Sequence, residues 1–481
     1  MNFFKRTALL ATLGLATFGV SSCERFTKDY DVNPNAPQDA PAAQQLRATE
    51  IAEGYVFAGN LARVAGMWSG YFSGVDRQYS SLDQYITSAG DYDNEWGLAF
   101  EATAAQARIV TNKALAVNNF QLAGIAQVME ANMIGTCTAL WGDIPYSENF
   151  RVQSVSDPRS PKFDTQQQVY TQVNALLTTA IVNLGKTGLS PDGRDIFYGG
   201  DTDKWTAAAH SLRARYLLHA LGNINKPGVT QQQLQEIITE AQAGISDPAN
   251  NLLMPFYGTA PGGDFNPYYD FIDYSRSGYM TADGAFATML LDTAGTSMTR
   301  ANAKTDEAGR FAYFYTFGGD YGAPDPNYID GAFAVDASHP LMTAVETKLI
   351  IAECEARQNN AAAALTALNE VRALNAARFS GGKYDAYVNT DFGAGGIVNP
   401  SLSQADALLK EILTEKYLSL VGQIETFNDL RRTNNLVGVP KKSAAAPDLP
   451  QRFLIAQSEV NTNTNTPKPI PTLYQKTPVN R

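Results

Sequence analysis

The chain is poor in the residues from which most catalytic centres are built. Its 481 residues hold only three histidines (His210, His219, His339) and three cysteines (Cys23, Cys137, Cys354). So few imidazoles leave little for a metal centre or a nucleophile–base pair. No Gly-x-Ser-x-Gly elbow, His-Glu-x-x-His pair or phosphate-binding loop occurs. No metal and no cofactor are therefore expected. Basic residues are also in deficit, since 37 Lys and Arg against 48 Asp and Glu give a net charge of −11. Nucleic acids and anionic membranes need clustered positive charge, so this balance argues against nucleic-acid binding and shows no polybasic patch. No second apolar run of spanning length follows the N-terminus.

What is present begins at that N-terminus. Lys5 and Arg6 precede an apolar run, Ala8 to Val20, broken only by Thr and Gly, and Ser21-Ser22 lead into Cys23. The run is too short for a stable span but has the length of a secretory signal core. Val20-Ser21-Ser22-Cys23 resembles the lipobox of bacterial lipoproteins, where the thiol is acylated and cleavage leaves the cysteine first. A free cysteine near an ordinary cleavage site is the other reading. Residues 1–22 are then a signal peptide, and their loss removes two basic residues and no acid. Residues 23–45, with Asn33, Pro34, Asn35, Pro37 and Pro41, read as a lipid-anchored tether. Asp29, Asp31, Asn33 and Asn35 alternate somewhat like a calcium loop, but the turn glycine and closing glutamate are missing. Cys137 and Cys354 fall in predicted helices among small and apolar residues, so buried free thiols are expected over a disulfide.

Residues 46–481 read as a single, mostly α domain. Leu122, Ile125, Met129, Met133, Cys137 and Leu140 step at three and four, placing them on one helical face. Val169, Val173, Leu176, Ala180 and Leu184 repeat the pattern, as do Trp205, Leu212, Tyr216 and Ala220. Leu409, Leu413, Tyr417, Leu420, Ile424 and Phe427 do so again. Segments 342–357 and 361–374 flank Gln358-Asn359-Asn360 and form an alanine-rich hairpin, the unit of tetratricopeptide-like solenoids, although no clean repeat period emerges. Helical scaffold is expected over about 46–250 and 341–435. The Gly-, Pro-, Asp- and Tyr-rich stretch of about 250–340 is expected to be a loop-rich, aromatic insertion.

Five strings in order carry a family resemblance. Leu140-Trp-Gly-Asp-Ile-Pro-Tyr-Ser-Glu-Asn-Phe150 resembles the Trp-Gly-Asp-(Val/Ile)-Pro-Tyr signature of SusD/RagB-family outer-membrane lipoproteins. Lys204-Trp205 through Arg215 is similar to that family's Trp…Ala-Asn-Ser-Leu-x-x-Arg helix, with His210 replacing asparagine. Ile351 to Ala356 and Leu368 to Ala373 resemble its tetratricopeptide-like hairpin. Glu415-Lys416-Tyr417 through Glu425 to Thr433 resembles its Glu-x-Trp-x-Asp-x-Arg-Arg-Thr helix, with Phe427 in place of tryptophan. Arg452-Phe453-Leu454 to Asn461 is similar to its C-terminal segment. The resemblance implies a SusD-like fold, lipid anchoring at Cys23 on the outer membrane, and a SusC-like TonB-dependent barrel as partner. It also implies capture of glycans or other nutrients without catalysis. Glu425, Asp429, Arg431, Arg432, Arg213 and Arg215 are expected to form structural ion pairs, and Trp141 and Trp205 to fill core.

Sugar binding needs aromatic faces beside groups that hydrogen-bond hydroxyls. By composition the candidates are Trp68, Tyr71, Arg77, Tyr79, Asp83, Tyr85, Asn94 and Trp96 in one neighbourhood. Tyr269 and Tyr274 belong to a second, which runs from Tyr257 through Tyr321 to Tyr328. About two-thirds of these aromatics are expected to be buried. Trp96 shares a helical face with Phe100, Thr103 and Ala107, which also fits a core role. Two platforms and several hydrogen bonds, less the cost of association, amount to about 4–8 kcal/mol, a millimolar to micromolar affinity. Two other readings stay open at this level: a surface-anchored glycoside hydrolase, whose two carboxylates no spacing excludes, and a transporter lid that handles peptides with little affinity of its own.

Overall fold

The computed structural model describes residues 40–149, 160–189, 193–261, 263–292, 298–317 and 324–481. The signal peptide, Cys23, the tether up to residue 39 and Tyr321 lie outside the described residues.

Polar residues start the helices where the apolar periodicity places them. The frame comprises α1 (Ala42–Ala58), α2 (Asn60–Trp68), α3 (Ala105–Ala116), α4 (Phe120–Trp141), α5 (Gln166–Leu184), α6 (Thr202–Leu221) and α7 (Gln231–Gln242). It continues with α8 (Ala344–Arg357), α9 (Ala361–Arg378), α10 (Gln404–Ser419) and α11 (Glu425–Arg432). Asn119, Thr165, Asp201, Thr230, Thr343, Asn360 and Ser403 cap α4 to α10 in turn, each side chain accepting a first-turn backbone N–H. These bonds satisfy donors that a helix start otherwise leaves unpaired. From α3 to α7 each helix packs on its successor, and α7 packs on α8 across the whole intervening stretch. The scaffold is thus continuous in space although interrupted in sequence.

Helix α4 departs from the single apolar face that its spacing suggests. Every residue from Leu122 to Trp141 is buried. Small residues on its other sides let neighbours close in. Gly135, for example, lies against the Tyr216 ring, where a Cβ would clash. Its polar positions are paired rather than solvated. Arg108 Nε donates to Glu130 at 2.7 Å, Asn183 Nδ2 to Gln127 at 2.9 Å, and Asn132 Nδ2 to Glu53 at 2.8 Å.

The 250–340 stretch is mostly irregular and is closed at its base. Leu252–Met254 pairs antiparallel with His339–Met342. Three further two-residue ladders tie loops together, among them Ser73–Gly74 with Met280–Thr281. Cys137 and Cys354 are separate, buried thiols.

Charges expected to fasten helices do so, and they do it inside the protein. Arg432 reaches both Glu353 oxygens, at 2.5 and 2.6 Å, and Asp429 at 2.6 Å. Lys416 Nζ completes the cluster on Asp429 at 2.9 Å. His219 Nε2 meets Glu425 at 2.7 Å, and Arg215 grips Glu346 at 2.7 and 2.6 Å. Arg213 and His210 share Glu240 nearer the surface. Arg431 instead donates to the carbonyls of Ala139, Phe427 and Gln451. Trp141 and Trp205 are buried, as expected.

Burial alone would raise the Glu353 pKa, but the facing Arg432 overrides it and holds the carboxyl at about 2, against an ordinary 4.5. A depressed carboxyl contributes stability that is complete above its unfolded value and is lost as pH falls towards 2. Arg432→Met is therefore expected to cost about 3–5 kcal/mol, because Glu353 is left buried with only the longer 3.4 Å contact to Arg357. It should also flatten the acid limb of stability between about 4.5 and 2. Urea denaturation across that pH range checks both.

Candidate functional site

Gly59 separates α1 from α2, and a Cβ there would strike the Tyr55 carbonyl oxygen. The break sends α2 off in a new direction. Asn60 and Arg63, three residues apart and so on one side of α2, both line a cleft of about 450 Å³. That volume lies in the range of small-molecule sites. Two π-helical turns, Leu98–Ala104 and Asp270–Ser275, border the cleft. The looser winding of such turns recurs at functional sites.

A polar chain forms the floor. Arg63 Nε donates to Tyr79 Oη at 2.8 Å, and Tyr79 Oη donates to Asn60 Oδ1 at 2.9 Å. Asn60 Nδ2 in turn donates to Glu95 Oε1 at 3.0 Å. Arg63 also bonds the Pro267 carbonyl at 3.0 Å and lies 4.3 Å over the Phe271 ring. Phe271 stacks obliquely on Tyr79 at 4.4 Å. Glu95 Oε2 is buried and has no hydrogen-bond partner among the described residues. Burial pushes the Glu95 pKa up, and its own backbone N–H, Asn60 and the Arg63 charge pull back only in part.

Aromatic residues make the wall. Phe265 lines the cleft and meets Tyr269 edge-on at 5.5 Å and Tyr274 edge-on at 5.8 Å. Tyr274 keeps 60% of its surface exposed, so one face remains available to a ligand. Asn94, Gln78, Asp270 and Arg276 complete the lining, and Asn94, Gln78 and Arg276 are exposed. A site of this kind offers a ring face for apolar C–H groups and fixed donors and acceptors for hydroxyls.

The sequence-predicted residues divide sharply. Tyr79 and Asn94 line the cleft, and Tyr269 and Tyr274 pack on its Phe265 wall. Arg77 is exposed beside Gln78 and pairs loosely with Asp76 at 3.7 Å. The other five are corrected to structural positions. Trp68 is buried against Tyr85, Phe427 and Phe453 and donates to the Leu82 carbonyl at 2.8 Å. Tyr71 is buried, its hydroxyl held by the Tyr417 carbonyl and Thr426. Trp96 is buried between Phe100 at 4.4 Å and Trp141 at 5.1 Å. Asp83 pairs with Lys442, and Tyr85 Oη accepts the Lys442 backbone N–H at 2.9 Å. Composition missed Asn60, Arg63, Glu95, Phe265 and Phe271. The available signal was Asn60 and Arg63, two polar residues standing alone in the apolar run from Val56 to Trp68.

Comparison with known proteins agrees with this architecture. The SusD-like family described as "Starch-binding associating with outer membrane" matches residues 42–453. A SusD/RagB family protein from Bacteroides thetaiotaomicron superposes with a TM-score of 0.65 at 22% identity, covering 89% of this chain and 95% of that one. A chitin-binding SusD homolog from Flavobacterium johnsoniae gives 0.64 at 17% identity, covering 87% and 94%. A SusD homolog from Bacteroides fragilis gives 0.68 at 18% identity, covering 92% and 100%. At such identities these structures share the fold. No curated protein matches the chain significantly in sequence.

Core and wall respond differently to truncation. Trp96→Ala is expected to lower the unfolding free energy by about 3–5 kcal/mol, the cost of a large buried cavity. Tyr274→Ala should change it by no more than about 0.5 kcal/mol. Urea denaturation of the two variants checks the assignment.

Proposed function

Because the chain belongs to the SusD-like family of starch-binding, outer-membrane-associating proteins, we propose that it captures oligosaccharides in the Asn60–Arg63–Phe265 cleft and passes them to a SusC-like TonB-dependent barrel. Family membership makes it a binding protein and not an enzyme. The observation that carries the ligand reading is the junction of an exposed aromatic, Tyr274 on Phe265, with the ordered chain Arg63–Tyr79–Asn60–Glu95. Those side chains are held by one another before any ligand arrives, so little rotamer entropy remains to be lost on binding. No described helix is long and apolar enough to cross a membrane. What supports attachment through an acyl group on Cys23 is the Val20-Ser21-Ser22-Cys23 string, and each buried methylene of such a chain adds about 0.8 kcal/mol.

Modest affinity suits such a carrier, since transfer to the barrel requires release. Calorimetric titration with starch-derived and chitin-derived oligosaccharides should give millimolar to micromolar binding of at least one series. Tyr274→Ala, Arg276→Ala and Asn94→Ala should each weaken it about 3- to 10-fold, the equivalent of one ring contact or hydrogen bond. A folded protein that binds neither series would sink the reading.

Anchoring is tested separately. Cys23→Ser should move the protein from the membrane fraction to the soluble fraction, with detergent-phase partitioning as the measurement. A variant that stays in the membrane would refute the acyl anchor.

A further inference from the structure

A second cavity, of about 460 Å³, opens where the end of α9 meets the 332–343 and 419–423 segments. It shares no lining residue with the oligosaccharide cleft. Phe314, Phe333, Phe379 and Val421, all buried, give it an apolar wall. Its charge differs from that of the molecule as a whole. Among the described residues that line it there is no aspartate or glutamate, in a protein where acids outnumber bases 48 to 37. The first cleft, by contrast, presents Glu95 and Asp270.

Arg378 is the one lining residue charged at neutral pH, because burial holds His339 neutral with a pKa of about 4. The Arg378 guanidinium lies 4.6 Å over the Tyr313 ring and donates to Tyr313 Oη at 2.8 Å. Its remaining donors have no acidic partner among the described residues. Gln423 is one of several neutral polar residues in the lining, with Asn251, Thr343 and Asn375. Only 5% of its surface is exposed, it lines the cavity, and its amide makes no hydrogen bond to any described residue.

We propose that this cavity is a second small-molecule site that takes an amphipathic carboxylate. The apolar body sits among Phe314, Phe333, Phe379 and Val421, and the head group accepts from the Gln423 amide and from Arg378. An amine of the same shape meets only a cation and no acid, so it is rejected. The site works independently of the oligosaccharide cleft.

Calorimetry on the full mature chain, with phenylpropionate as the probe and phenylpropylamine as its cationic counterpart, tests this. The acid should bind with one-to-one stoichiometry and the amine should not. Arg378→Gln, an exposed change, should weaken the acid at least 10-fold. Val421→Trp, which fills the cavity, should abolish binding, and oligosaccharide titrations should be unaltered in both variants. Equal binding of acid and amine overturns the proposal. So does undiminished binding by both variants, or no acid binding by a protein whose melting temperature shows it folded.

Discussion

Buried charge that must be paired is the constraint on which this molecule depends. Helix α11 is only eight residues long, yet it touches helices from both ends of the chain through ionised or strongly polar groups. Glu425 reaches His219 on α6, Arg432 reaches Glu353 on α8, Asp429 reaches Lys416 on α10, and Arg431 takes the Ala139 carbonyl of α4. Each of these groups is expensive to remove from water and is tolerable only in a narrow geometry. The pairs therefore specify how early and late helices meet, whatever their net contribution to stability.

The same device secures the irregular stretch. Arg300 and Arg310 project from it onto Glu415 of α10, and Arg300 also reaches Glu411. Pairing of Leu252–Met254 with His339–Met342 joins its two ends. A long excursion held at its base and along its length can be irregular and still well defined. Both cavities lie at its margins, one against α1 and α2 and the other against α9. Rigid helices thus supply one wall of each, and loops supply the chemistry of the other.

Much of the frame was legible from periodicity alone. The spacing over 122–140 and 169–184 identified helices that the structure contains, whereas the 409–427 stripe is broken over 420–424 into α10 and α11, with Gly422 at positive φ in the turn. The structural roles of Asp429, Arg432 and Arg215 were legible too, since acids and bases crowded on helical faces must find partners. The binding wall was much less legible. Trp96 and Tyr274 look alike in composition, but Trp141 and Phe100 bury one, while the other touches Phe265 only edge-on and stays largely exposed. Asn60, Arg63 and Glu95 escaped notice because no motif links them. Their connection exists only after the break at Gly59 aims α2 at the 77–83 and 93–97 turns.

By itself, the amino-acid order determined the helical class, the acid excess, the scarcity of histidine and the family signature. Each of these is a property of local period or of counts. Only the tertiary structure decided which aromatic rings face solvent, which carboxylates are paired with which cations and where the two cavities form. Those outcomes depend on contacts between residues far apart in the chain, such as Trp68 with Phe453 or Arg63 with Pro267. No periodicity encodes such contacts, because the packing of whole helices brings them about.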